Sequence, residues 1–180
     1  MGVDKAELRI DGQRLADRAA AVLAEVCAAV LEVGPGATGL DAVREPAPGS
    51  GPLAALAAGG EELRRRGHDG PMLALAVDLP FVEVPLLRLL TDHEPRETTL
   101  VPISAGVPQS LCARYYPDAA REAATLLAAG RRSLRALLDV VAWEPLGEEA
   151  WRAVAPAHAL DDVDTPADVE RFALEWPRVT

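Results

Sequence analysis

The amino-acid sequence predicts an α/β fold, an open and mostly parallel sheet in one domain spanning residues 1–180. Three observations carry that expectation. Short apolar runs alternate with segments of helical spacing along the chain. The most strand-like run, residues 72–77 (Met-Leu-Ala-Leu-Ala-Val), is apolar on both faces, as a central strand of a parallel sheet must be. Asp78-Leu79-Pro80 then ends that run with a carboxylate at the strand's carboxyl end, where open α/β sheets bind ligands.

Taken in order, residues 13–25 place Leu15, Ala19, Val22 and Leu23 at helical spacing. Residues 27–33 form an apolar run stopped by Gly34-Pro35-Gly36, which reads as a buried strand. Residues 44–52 are rich in proline and glycine and read as a loop, with Pro52 suited to the first position of a helix over 53–66. Arg64, Arg65 and Arg66 ahead of Gly67 suit the negative end of that helix dipole better than a phosphate site. A helix is expected over 84–90 and strands over 98–103 and 111–115, joined across Gly106-Val107-Pro108. Helices follow over 119–129 and 133–141. A last helix starts after Thr165, with Pro166 first and Asp168 third, close to a capping box.

Composition narrows the function. A hydrophobic fraction of 49% with 26% charged residues excludes disorder. A net charge of −10 argues against nucleic acid or an acidic membrane surface as partner. No apolar stretch is long enough to span a bilayer, and Cys27 and Cys112 are far apart without metal-ligand spacing, so a reduced, cytoplasmic setting is expected. The chain has seventeen arginines but one lysine, Lys5. A compact ammonium can tuck against phosphate oxygens where a planar guanidinium cannot, although no glycine-rich loop precedes it and a solvated terminal lysine is the plain alternative. Asp78 could hold Mg²⁺ or merely cap a turn. Gly51-Pro52-Leu53 offers bare backbone at a helix start, which is also ordinary punctuation. Asp161, Asp162 and Asp164 precede a helix, where acids are favourable without function; Asp162 or Asp164 could instead join Asp78 around a metal. The three histidines show no ligand spacing.

In this order the pieces resemble the molybdenum cofactor guanylyltransferases, within the Rossmann-like nucleotidyltransferases. The matching segments are Met1-Gly2-Val3-Asp4-Lys5, Arg44-Glu45 with Gly51-Pro52-Leu53-Ala54, Ala76-Val77-Asp78-Leu79-Pro80, Pro108-Gln109-Ser110-Leu111-Cys112-Ala113, and Asp162-Val163-Asp164-Thr165-Pro166. The resemblance implies three layers, with helices on both faces of the sheet. It implies transfer of GMP from GTP to molybdopterin with release of pyrophosphate. Lys5 would contact the GTP phosphates, Asp78 with Asp164 would bind Mg²⁺, Glu45 would lie near the nucleotide, and Gly51, Pro52 and Leu53 beside the guanine. Gly130-Arg131-Arg132-Ser133 would face the pterin. Cofactor-delivery or molybdoenzyme-maturation proteins would be further partners.

There are departures from the family pattern. Asp162 and Asp164 stand where it has asparagines, Ala55 where it has glycine and Ser110 where it has proline. The first strand and the glycine-rich loop have no counterpart, so either a gap between neighbouring strands or its closure by pairing that no sequence pattern predicts is expected. Met1 coincides with an internal methionine of the motif, which suggests a start placed too far downstream. The alternatives are a related nucleotidyltransferase using CTP or another acceptor, and a non-catalytic module that has lost the phosphate-binding loop.

Overall fold

The structure, a computed structural model, describes residues 4–44, 50–95 and 97–177. A 3-10 turn, Lys5–Glu7, opens it, capped by the Asp4 carboxylate accepting from Ala6 N–H at 3.0 Å. A two-stranded antiparallel ribbon follows, β1 (Arg9–Ile10) with β2 (Gln13–Arg14), leading into helix α1 (Leu15–Ala24). The helix therefore begins two residues later than its spacing suggests. Arg14, ahead of it, forks onto Asp17 at 2.8 Å and onto Glu7 at 2.8 Å.

The main sheet contains β5 (Met72–Leu75), β6 (Thr99–Ser104), β8 (Cys112–Tyr115) and β9 (Trp143–Leu146) in the order β5-β8-β6-β9. A two-residue strand, β7 (Val107–Pro108), completes a hairpin on β6. Three of the four longer strands run the same way and β8 runs against them. The reversal follows from the hairpin at Ala105 and Gly106, whose φ values of 49° and 77° turn the chain back at once. Alternation along the strands separates two cores. Val101 and Ala113 face α2 (Pro52–Arg65), α4 (Asp118–Ala128) and α5 (Leu134–Leu138). Leu100 and Cys112 face α1, α3 (Val84–Asp92) and α6 (Glu148–Arg152). Helices thus cover both faces, as expected.

Two strand expectations are corrected. The apolar run at 27–33 yields only a two-residue, half-buried strand, β3 (Glu32–Val33), parallel to β4 (Ala42–Val43) in a sheet of their own. Residues 72–77 are not a central strand either: β5 pairs with β8 and with no other strand among the described residues, and all four of its residues are half-buried. The reason is pairing, which apolarity does not report. Ala76 N–H donates to Leu111 C=O, so even-numbered residues of β5 face β8 and the backbone groups of Leu73 and Leu75 point the other way. Likewise Glu32 and Gly34 donate toward β4, which turns Leu31 and Val33 away from it. Both open edges lie under adjacent residues of α2. A Cβ on Gly59 would meet Val33 at 3.0 Å, and one on Gly60 would meet Met72 at 3.3 Å. Among the described residues no strand pairs with either of these edges. Hydrogen exchange should register it: the Leu73 and Leu75 amides should exchange orders of magnitude faster than those of Ala74 and Ala76. Equal protection along the strand would mean that the edge is covered.

The loop after β3 is held by one carboxylate. Glu32 Oε1 accepts from Gly36 and Ala37 N–H (2.7 and 2.8 Å), and Oε2 from Thr38 N–H and Oγ1 (both 2.8 Å). Partial burial opposes the charge, but these donors outweigh it and lower the Glu32 pKa. The linked stability is complete above the ordinary glutamate value of about 4.3 and is lost as pH falls through the lower folded value. In Glu32→Gln either amide orientation strands at least one backbone donor, and a cost of about 1–2 kcal/mol is expected in urea unfolding at neutral pH. An unchanged midpoint would show that water serves those donors equally well.

Candidate active site

A third, smaller core places the site. Leu8, Leu15, Val163, Val169 and Leu174 are buried together, with Val77 and Phe172 against them. It ties the first residues of the chain to its last helix, α7 (Pro166–Arg171). Arg9 and Glu175 exchange backbone hydrogen bonds of 2.9 and 2.7 Å, fixing the two ends side by side. Val163 N–H donates to Asp78 C=O at 2.9 Å, joining the end of β5 to the loop before α7.

Three charged side chains meet above this core. Lys5 Nζ lies 3.0 Å from Asp78 Oδ2 and also donates to Asp164 Oδ1. These residues are 73 and 159 positions apart in sequence. The solvated terminal lysine is thereby excluded: the Lys5 side chain is only 28% exposed. Asp78 is not a helix cap, because Glu83 occupies the N-cap of α3. The following turn is held by Arg18 of α1, whose Nε donates to Pro80 C=O at 2.6 Å. Asp164 is positioned by the capping box that the sequence suggests. Thr165 accepts from Asp168 N–H, and Asp168 Oδ2 accepts from Thr165 N–H at 2.8 Å and from Asp164 N–H at 3.2 Å.

The electrostatics follow from this geometry. Burial alone would lower the Lys5 pKa, but hydrogen bonds to Asp164 and Asp78 raise it, so the ammonium is fully charged near neutrality. The hydrogen bond from Lys5 lowers the Asp164 pKa. Asp162 is raised, first by burial and then by the negative charge of Asp164. Two carboxylates on one ammonium, with Asp162 beside Asp164, favour additional positive charge. Among the described residues no group of three or more His, Cys, Asp or Glu is arranged to cage a metal. Two carboxylates converging on one cation fit instead the Mg²⁺ pattern of one or two carboxylates completed by substrate phosphates.

The other candidates lie apart from this cluster, and no described hydrogen bond or ion pair links them to it. Gly51 sits at the N-cap of α2 with φ 88°, and a Cβ there would lie 3.3 Å from Arg132 C=O. That close approach brings Gly51 to the 130–133 loop. Pro52 is exposed, whereas the Leu53 side chain is fully buried in the core, so only its backbone can meet a ligand. Glu45 lies outside the described residues. Asp161 pairs with Arg171 at 3.1 Å, the bland role its position suggests. The site residue that sequence reasoning missed is Arg18, since nothing in a helical arginine indicates which distant carbonyl it will hold. Cys27 and Cys112 are free, and burial pushes the Cys112 thiol up to about 12, which makes it inert. No helix among the described residues is long and apolar enough to cross a membrane.

Comparison with known proteins points one way. The pattern of the MobA-like NTP transferase domain matches residues 1–150. Proteins of Mycobacterium tuberculosis and Mycobacterium bovis named "Probable molybdenum cofactor guanylyltransferase" are 33% identical over 149 residues, covering 77% of this chain and 73% of theirs. The crystal structure of molybdopterin-guanine dinucleotide biosynthesis protein A from Archaeoglobus fulgidus superposes with a TM-score of 0.77 at 21% identity. It covers 95% of this chain and 89% of the other.

Proposed function

This chain belongs to the MobA-like NTP transferase family and is a nucleotidyltransferase, and on that premise we propose that it transfers GMP from GTP to molybdopterin. The observation that carries the reading is the convergence of Lys5, Asp78 and Asp164 at the carboxyl end of β5. A terminal phosphate oxygen of molybdopterin attacks the α-phosphorus of GTP, the bond to the β-phosphate oxygen breaks, and pyrophosphate leaves. Little covalent work falls to the protein; positioning and charge neutralisation lower the barrier.

In this reading Asp78 and Asp164 would hold Mg²⁺, which would supply charge neutralisation for the leaving pyrophosphate. Lys5 adds a compact positive charge on the same side. Arg18 and Val163 keep the Asp78 turn fixed through Pro80 and Asp78 carbonyls. The backbone at Gly51, where a side chain would be strained and crowded, receives the guanine, and Glu45 completes the nucleotide contacts. The 130–133 loop, which approaches Gly51, faces the pterin. Proteins that deliver molybdopterin or receive the finished cofactor are the expected partners, in the cytoplasm.

The test is pyrophosphate release in the presence of molybdopterin, with GTP, CTP and ATP compared at equal concentration and Mg²⁺ supplied or chelated. The reading expects turnover with GTP, loss of turnover on chelation, and at least about a hundredfold preference over CTP, well within what a site built to hydrogen-bond its substrate can reach. Preference for CTP would transfer the same site to cytidylyl chemistry. Nucleotide binding without release would make the chain a binding module.

A further inference from the structure

We infer that Lys5 is an exchangeable internal cation that occupies the divalent-metal position until a nucleotide arrives, so that metal and nucleotide enter together. The inference rests on the reading of Asp78 and Asp164 as metal ligands. Its basis is an incompatibility of positions. Lys5 Nζ sits 3.0 Å from Asp78 Oδ2 while also donating to Asp164 Oδ1, so it occupies the space between both carboxylates. A hard divalent ion bound to the same oxygens needs metal–oxygen distances near 2 Å and would meet the ammonium at close range. Both cations cannot keep these contacts.

The way out is built into the residue and its support. The 3-10 turn carrying Lys5 is fixed by the Asp4 cap and by Ala6 and Leu8, both buried. Exchange therefore needs only rotation of the flexible four-carbon stem, with no movement of the backbone. An incoming triphosphate offers the ammonium new anionic partners while the metal takes over the carboxylates. Without the phosphates the exchange would leave Lys5 unpaired, so the free metal is disfavoured. An arginine would not serve as well, because its planar fork would engage the two carboxylates through several bonds at once and release them reluctantly.

The test is Mn²⁺ binding by the full chain without nucleotide, followed by electron paramagnetic resonance of the free ion. Lys5→Met and Lys5→Gln keep an unbranched stem, of similar length in Met and shorter in Gln, without the charge, and circular dichroism verifies their folding. Both variants should bind Mn²⁺ at least about tenfold more tightly than the wild type, an arithmetic difference of about 1.4 kcal/mol. Adding a non-hydrolysable α,β-methylene GTP analogue should tighten Mn²⁺ binding by the wild type more than by either variant. Asp78→Asn placed on Lys5→Met should abolish the gain. If the Lys5 variants bind Mn²⁺ no better than the wild type while Asp78→Asn abolishes binding, the exchange is wrong and the metal site stands. If the gain survives Asp78→Asn, the metal is elsewhere and the underlying reading falls with it.

Discussion

Asp78→Asn should reduce nucleotidyl transfer by a hundred- to a thousandfold or more, the scale on which pre-placed charges act in phosphoryl chemistry. The replacement is nearly isosteric, so the protein should remain folded. Lys5 loses the charge of its partner at 3.0 Å and retains Asp164. The measurement is pyrophosphate release at saturating GTP and Mg²⁺, with thermal unfolding to show that the fold survives. The loss should fall on kcat more than on KM, because the charge being neutralised grows as the pyrophosphate leaves. Asp164→Asn should cost less, since that side chain is 57% exposed. Asp78→Asn retaining a tenth of normal turnover would remove Asp78 from the reaction.

Arg114→Leu should produce the largest loss of stability. Arg114 is 2% exposed on β8, and its guanidinium donates to main-chain oxygens. Its Nη1 donates to Leu90 and His93 C=O at 2.9 and 2.7 Å, and its Nη2 to Pro95 C=O at 2.7 Å. One guanidinium thus satisfies the carboxyl end of α3 and the turn that leads to β6. Leucine strands those oxygens, and at about 1–3 kcal/mol for each buried group left unpaired the loss should be about 3–5 kcal/mol. For a chain of this length that corresponds to a melting temperature lower by roughly 10 °C. Arg114→Lys, which cannot span the same oxygens, should recover only part of it. A fall of less than about 2 °C would show that water replaces the guanidinium without penalty.

What could be read from the residues divides along physical lines. Local signals held well: Pro52 opens α2, Gly67 follows its end, and Thr165 with Asp168 closes the capping box. The apolar runs that became β6 and β8 were equally legible, because each meets neighbours on both sides of the sheet. Pairing was not legible. The runs at 27–33 and 72–77 have the composition of buried strands, yet their edges find no common partner among the described residues. Strands of two residues, such as β1, β2 and β4, carry no periodicity to read. β9 escaped because Pro145 argues against a strand, although an edge position tolerates it. At the site, Lys5, Asp78 and Asp164 were each legible as residue types. Their meeting depends on tertiary contacts spanning up to 159 positions.

The backbone exchange between Arg9 and Glu175 makes the chemistry of this protein a property of its tail as well as its head. Cleavage between α7 and Leu174 would remove Leu174 from beneath Leu8 and cut the tether that keeps Lys5 opposite Asp78. Such a nicked protein could keep both of its large cores and its circular dichroism while losing nucleotide binding. Peptidase trimming at one end would thus silence a lysine at the other, and intact mass becomes as informative as any spectrum when a preparation is found inactive.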